Sequence, residues 1–336
     1  IPSSLGDLTS LNTLYLNTNQ LSGPIPTELG NMKSLTYLDL GENQINGSIP
    51  SALGNLTSLN TLYLHTNQLS GPIPIEIRNM KSLTDLELGY NQLNGSIPSS
   101  LGDLTSLNTL YLHTNQLSGP IPIEIRNMKS LTDLELGYNQ LNGSIPTEIG
   151  SIVSLERLSL RYNNISGSIP SSLGDLTSLK LLYFGQNQLS GLIPTELGNM
   201  KSLTRLRLKE NQLNGPIPIE LGNMKYLTGL DLSENQLNGS IPSSFGDLKS
   251  LNILHLFQNQ LSGPIPIVLG NMKYLTELDL SENQLNGSIP SSFGDLKSLN
   301  ILHLFQNQLS GPIPIVLGNM KYLTGLDLSE NQLNGS

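Results

Sequence analysis

Apolar and polar residues alternate along this chain in a pattern that restarts every 24 positions. In the first copy Leu14 and Leu16 alternate with Thr13, Tyr15 and Asn17. Period two predicts a strand of about four residues with one buried face. Ahead of it, Leu5 and Leu8 stand three apart in the segment SSLGDLTS. That spacing suits a single 3₁₀ or short helical turn, with Ser and Thr toward solvent. Behind the strand comes Asn19, and its equivalents recur in every copy as far as Asn331. A polar residue beside a leucine core is expected to be buried and hydrogen-bonded to neighbouring backbone, forming an asparagine ladder. Gly23 and its equivalents supply unusual dihedrals for a sharp turn. Pro2 and its equivalents hold an extended turn.

Fourteen such units, from Ile1–Pro24 to Ile313–Ser336, account for all 336 residues. A fixed period of this length is the mark of a solenoid. No unit can bury its own leucines, so neighbours must stack, and the array is expected to be one body spanning 1–336. The strands then form a parallel sheet on the inner, concave face, and the short turns line the convex face.

Composition narrows the function. The net charge is −9 with 13% charged residues, which speaks against general affinity for nucleic acid. No apolar stretch is long enough to span a membrane, and no membrane contact is expected. Cysteine is absent, so no disulfide, thiolate metal site or cysteine nucleophile is expected. Eight N-x-Ser/Thr sequons stand at Asn46, Asn55, Asn94, Asn142, Asn164, Asn238, Asn286 and Asn334. Each is a glycan acceptor if the chain is secreted, and seven of them read N-G-S or N-I-S.

The segments LSGPIP and LNGSIP, set within LxxLxLxxNxL, carry a family likeness. The unit resembles the plant-type leucine-rich repeat over the whole chain. It resembles in particular the ectodomains of plant receptor-like kinases and receptor-like proteins. The resemblance implies a right-handed superhelix with a second small sheet near the SGxIP segment. It also implies an extracellular or cell-surface location, a secreted peptide or protein ligand on the inner strands, and a possible co-receptor. Those receptors usually carry a cysteine-paired cap, a C-terminal cap, a membrane helix and a kinase. None is legible here, so the chain resembles the middle of an ectodomain.

Repeats also alternate in kind, giving a 48-residue unit. Residues 73–96 and 121–144 are identical, and 241–288 differs from 289–336 only at Glu277, where the later copy has Gly325. Tandem duplication, an engineered array and an averaged sequence all fit such copying. The column expected on the inner face reads Tyr15, Asp39, Tyr63, Glu87, Tyr111, Glu135, Ser159, Tyr183, Arg207, Asp231, His255, Asp279, His303, Asp327. Much of it reads as a solvated sheet face with compatible neighbours.

The middle of the chain breaks this pattern. Arg157, Arg161, Arg205, Arg207 and Lys209 gather there, with Tyr162 and Tyr183 among them. These seven are the candidate ligand-binding residues. Arg205 and Arg207 point to the same side of one strand, and two adjacent guanidiniums suit a carboxylate. The resemblance adds that some relatives hold a peptide's C-terminal carboxylate with such an Arg-x-Arg pair. Pairing to Glu210 or Glu234 is the bland alternative. His255 and His303 lie between aspartates of adjacent strands and favour a mild pH response. No metal site, cofactor or catalytic nucleophile is signalled, and an enzyme is not expected. Two functions remain open: a non-enzymatic extracellular recognition module, and head-to-tail self-association through uncapped ends into filaments, with Ser336 leading into the phase of Ile1.

Overall fold

The computed structural model describes residues 1–335. Contacts gather the chain into two compact units, Ile1–Ser166 and Gly167–Ser336, each built from the same coil. In the third coil, Pro50 takes an extended conformation ahead of the 3₁₀ helix Ser51–Asn55. Leu53 and Leu56 turn inward from that helix and its cap and are fully buried. The strand Thr61–Tyr63 then buries Leu62 and presents Thr61 and Tyr63 on the other face. Seven apolar side chains of this coil, from Ile49 to Leu69, are at most 3% exposed. The leucine spacing therefore describes one cross-section of a continuous core, each layer closed by the next.

In the first unit the inner strands run in parallel from Thr13–Tyr15 to Arg157–Ser159. In the second they run from Leu181–Tyr183 to Gly325–Asp327. Pairing is always between residues 24 apart, as in Leu38 with Leu62 and Leu206 with Leu230. Equal coil length thus stacks leucine on leucine and leaves the alternate positions facing outward in register.

A second set of short parallel strands follows each ladder asparagine, for example Gln68–Gly71 and Gln92–Ser96 in the first unit. These pair at an offset of 22, as in Ser70 with Gln92. Equivalent positions therefore slide by two residues per layer, roughly 6.6 Å at strand rise. The second unit has the same shear, seen in Asn238 with Gln260. Gly71 turns this segment with φ of +80°, which an L side chain adopts poorly.

The asparagine ladder is present and is bonded more extensively than expected. Asn67 Nδ2 donates to Leu40 O at 2.9 Å, and also to Leu64 O and His65 O, while its Oδ1 accepts the N–H of Ile45 at 2.9 Å. Burial is uneven: Asn163, Asn259, Asn283 and Asn307 are at most 9% exposed, whereas Asn19 is open to solvent. The residue before every ladder asparagine has positive φ, between 51° and 57°. Thr, Glu, Tyr and Gln all fill this left-handed position, which costs an L residue about 1–2 kcal/mol. The bend aims the following asparagine into the core, where its four hydrogen bonds offset the strain.

In most coils the 3₁₀ helices approach so closely that only glycine fits beneath the next one. A Cβ on Gly54 would lie 2.3 Å from Glu76 O in the next coil. Arg78 and Arg126 occupy the equivalent place in their own coils, with their side chains exposed.

Among the described residues, no helix is long and apolar enough to cross a membrane. Ser336, through which the head-to-tail contact would run and which completes the sequon at Asn334, lies outside the described residues.

Candidate functional site

The outward positions of the inner strands make two chemically different faces, one in each unit. In the first unit, Tyr15, Tyr37 and Tyr63 form a chain of ring contacts, with centroids 4.6 and 5.8 Å apart. Asp39, Asp85, Glu87, Asp133 and Glu135 accompany them. Burial, with the charges of Glu87 and Asp85, pushes the Tyr63 hydroxyl up to about 12. Burial also raises the carboxyls of Glu87 and Glu135, while His65 pulls the first back and Ser159, then Arg157, the second. Burial and the Arg161 charge lower the His113 imidazole.

Three candidate residues, Arg157, Arg161 and Tyr162, belong to this unit, and local contacts engage each of them. Arg157 Nε lies 3.3 Å from Asp133 Oδ1 and 3.9 Å from Glu135 Oε1. The Arg161 guanidinium sits 5.1 Å from the ring centre of Tyr138. Tyr162 stacks on Tyr138 at 4.2 Å and 14° between planes.

The other four candidates belong to the second unit. Lys209 Nζ meets Glu234 Oε1 at 2.8 Å and lies 5.3 Å from the Phe257 ring centre. The hydrogen bond that it donates to Glu234 raises its ammonium above the usual lysine value. The Arg207 guanidinium rests 5.3 Å from the centre of the Tyr183 ring, a cation–π arrangement that fixes its direction. The strand Arg205–Arg207 buries only Leu206 and leaves both arginines exposed. Neither arginine makes an ion pair among the described residues, whereas Lys209 pairs with Glu234. The bland reading of local pairing therefore holds for Lys209 and fails for the Arg205/Arg207 pair.

Both arginines line a concavity of about 320 Å³ together with Gly229, Asp231, His255 and Glu277. Sequence reasoning did not single out Gly229. Its signal was a strand position with no side chain, beside an arginine on the neighbouring strand. Two broader grooves of about 770 and 720 Å³ lie in the first unit. They are lined largely by prolines, isoleucines and serines, with Arg78 in one and Glu28 in the other.

The histidines differ from expectation in one respect. His303 Nδ1 reaches Asp279 Oδ2 at 3.3 Å, as the column suggested. His255 Nε2 instead meets Glu277 Oε2 at 3.3 Å; Glu277 stands on the adjacent strand two positions before Asp279, on the same face, and extends its longer side chain toward the ring. Among the described residues, no three His, Cys, Asp or Glu side chains converge as metal ligands would.

Known proteins agree with this geometry. Family models described as leucine-rich repeat region and leucine rich repeat match residues 1–117, 153–213 and 266–309, and further single repeats match at 130–152, 226–248 and 250–272. No curated protein matches the sequence. Among solved structures, the plant peptide hormone receptor RGFR1 in complex with RGF2 is 40% identical with a TM-score of 0.98, over 99% of this chain and 54% of that one. PEPR1 with AtPEP1 is 38% identical with a TM-score of 0.86, over 98% and 50%. The Arabidopsis receptor kinase HAESA, in complex with the peptide hormone IDA and the co-receptor SERK1, is 34% identical with a TM-score of 0.59, over 100% and 72%. The chain spans about half the length of the first two. Period, ladder, second sheet and these likenesses agree: the chain belongs to the leucine-rich-repeat proteins, with repeats of the plant receptor-ectodomain type.

Proposed function

We propose that this chain is an extracellular, non-enzymatic recognition module that binds a peptide by its free carboxylate between Arg205 and Arg207. One observation carries the reading: two exposed guanidiniums on one strand, without a carboxylate partner among the described residues, at the wall of a concavity. A carboxylate accepts two parallel N–H bonds from each such group, and these charge-assisted bonds are stronger than neutral ones. The solved relatives in complex with peptide hormones support a peptide as the ligand class, and the one with SERK1 supports a co-receptor as a further partner. All eight sequon asparagines are exposed, which suits a glycosylated chain outside the cell. Asn164 occupies the place that glutamine fills in the other coils, and Asn55 ends a 3₁₀ helix. The reading as a single array over 1–336 rests on the sequence period.

The test is binding of peptides with a free C terminus and of the same peptides amidated. Amidation, Arg205→Ala and Arg207→Ala should each weaken binding, by about tenfold or more for a charge-assisted pair. Unchanged affinity in both arginine variants would reject the assignment. Of the remaining candidates, Tyr183 and Lys209 share the unit of the arginine pair and are expected to shape the surface around the ligand, while Arg157, Arg161 and Tyr162 belong to the inner face of the first unit.

A further inference from the structure

The last two 48-residue blocks of the chain are copies save for one position, and that position lines the concavity. Glu277 stands where the next block has Gly325 and the earlier coil has Gly229. Copying has therefore preserved everything in these blocks except a carboxylate on the wall facing Arg205 and Arg207. Two strands stand between them, carrying Gly229 and then Ile253 in the same register, and a Cβ added at Gly229 would meet only Arg205 Cγ, at 3.8 Å. The space above Gly229 is open. Beyond it Ile253 and then Glu277, whose side chain is 39% exposed, line the same concavity, and Asp231 shares the strand of Gly229. Arg207 and Asp231 are register neighbours, yet Arg207 turns toward the Tyr183 ring. Asp231 Oδ1 accepts from the Ser233 hydroxyl, and Glu277 Oε2 lies 3.3 Å from His255 Nε2. The site therefore presents a cationic wall and an anionic wall with a side-chain-sized slot between.

We propose that this slot takes a cationic side chain of the ligand, belonging to the residue just before the bound C-terminal carboxylate. The inference rests on the carboxylate reading of Arg205 and Arg207. An extended peptide rises about 3.3 Å per residue and neighbouring strands lie about 4.8 Å apart. With the terminal carboxylate at Arg205 and Arg207, the preceding residue stands over the next strand, at Gly229. A lysine or arginine side chain entering there comes between Asp231 and Glu277. A carboxylate side chain would meet both negative charges, so the slot also rejects acidic residues.

The experiment uses pentapeptides Gly-Gly-Gly-X-Gly with a free carboxylate and X as Lys, Ala or Glu, each paired with its C-terminal amide. Binding to the full chain is followed by NMR of the peptide up to the millimolar range. The Lys peptide should bind about tenfold more tightly than the Ala peptide, and the Glu peptide most weakly. Glu277→Gln removes the carboxylate, and Gly229→Val fills the slot with a residue suited to a strand. Each should collapse the Lys-over-Ala preference to about twofold or less. Equal affinity of the Lys and Ala peptides, with binding still lost on amidation, would overturn the slot and leave the carboxylate reading standing. Indifference to amidation, or no binding by any free acid, would overturn both.

Discussion

The side chain of Asn67 accepts the backbone N–H of Ile45 at 2.9 Å, binding each coil to the one before it. The same side chain donates to Leu40 O in that preceding coil. Cutting it back should leave an amide and carbonyls unpaired next to a leucine core. Asn67→Ala is expected to cost about 1–3 kcal/mol in chemical denaturation, and Asn187→Ala a similar amount, with the Ile45 amide losing hydrogen-exchange protection in the Asn67 variant. An Ile45 amide that exchanges as fast in the wild-type chain as in the variant would contradict the ladder's role.

Thr114 is β-branched and sits at φ of 55°. That region tolerates asparagine far better than threonine. Thr114→Asn should therefore stabilise the chain, by about 1 kcal/mol if most of the left-handed penalty is relieved. The readout is the denaturation midpoint, and a fall in it would show that the threonine methyl contributes packing that outweighs the strain.

Close stacking of the 3₁₀ helices makes two glycines unequal. A methyl on Gly54 would strike Glu76 O at 2.3 Å, whereas one on Gly318 meets nothing within 4 Å. Gly54→Ala is expected to lose about 1–3 kcal/mol, as overpacked cores do. Gly318→Ala should stay within about 0.5 kcal/mol of the parent. Comparable midpoints for the two variants would mean that the coils separate at little cost.

Glu87 is held above the usual carboxyl range chiefly by burial, against the opposing pull of His65. A raised folded-state pKa means that its stabilising contribution is complete below the unfolded value and is lost as pH rises through the folded one. At neutral pH the ionised carboxylate thus weakens the fold. Glu87→Gln should be more stable than the parent near pH 7, and the difference should vanish near pH 4. Stability curves for the two proteins that run parallel over this interval would exclude the effect.

Much of this protein is legible because its coils repeat. The spacing of Leu5, Leu8, Leu14 and Leu16, followed by Asn19, requires a cross-section that only a neighbouring copy can close. Fold class, the strand, the 3₁₀ turn, the ladder and the turn at Gly23 follow from that requirement alone. The Arg205 and Arg207 pair was equally visible, since alternate residues of a strand share a face.

What a single coil cannot reveal is which charges meet. Lys209 takes Glu234 while the arginines stay open, His255 turns to Glu277 rather than to an aspartate, and Gly229 becomes a slot only between its neighbours. The left-handed bend at Thr66, Thr114 and their equivalents is likewise set by packing. The asparagine can reach the preceding coil only if the chain accepts that strain. Periodicity in the sequence dictates what stacks, because burial of leucine repeats with it. Pairing among side chains from different coils depends on distances across layers, and those exist only once the layers have stacked.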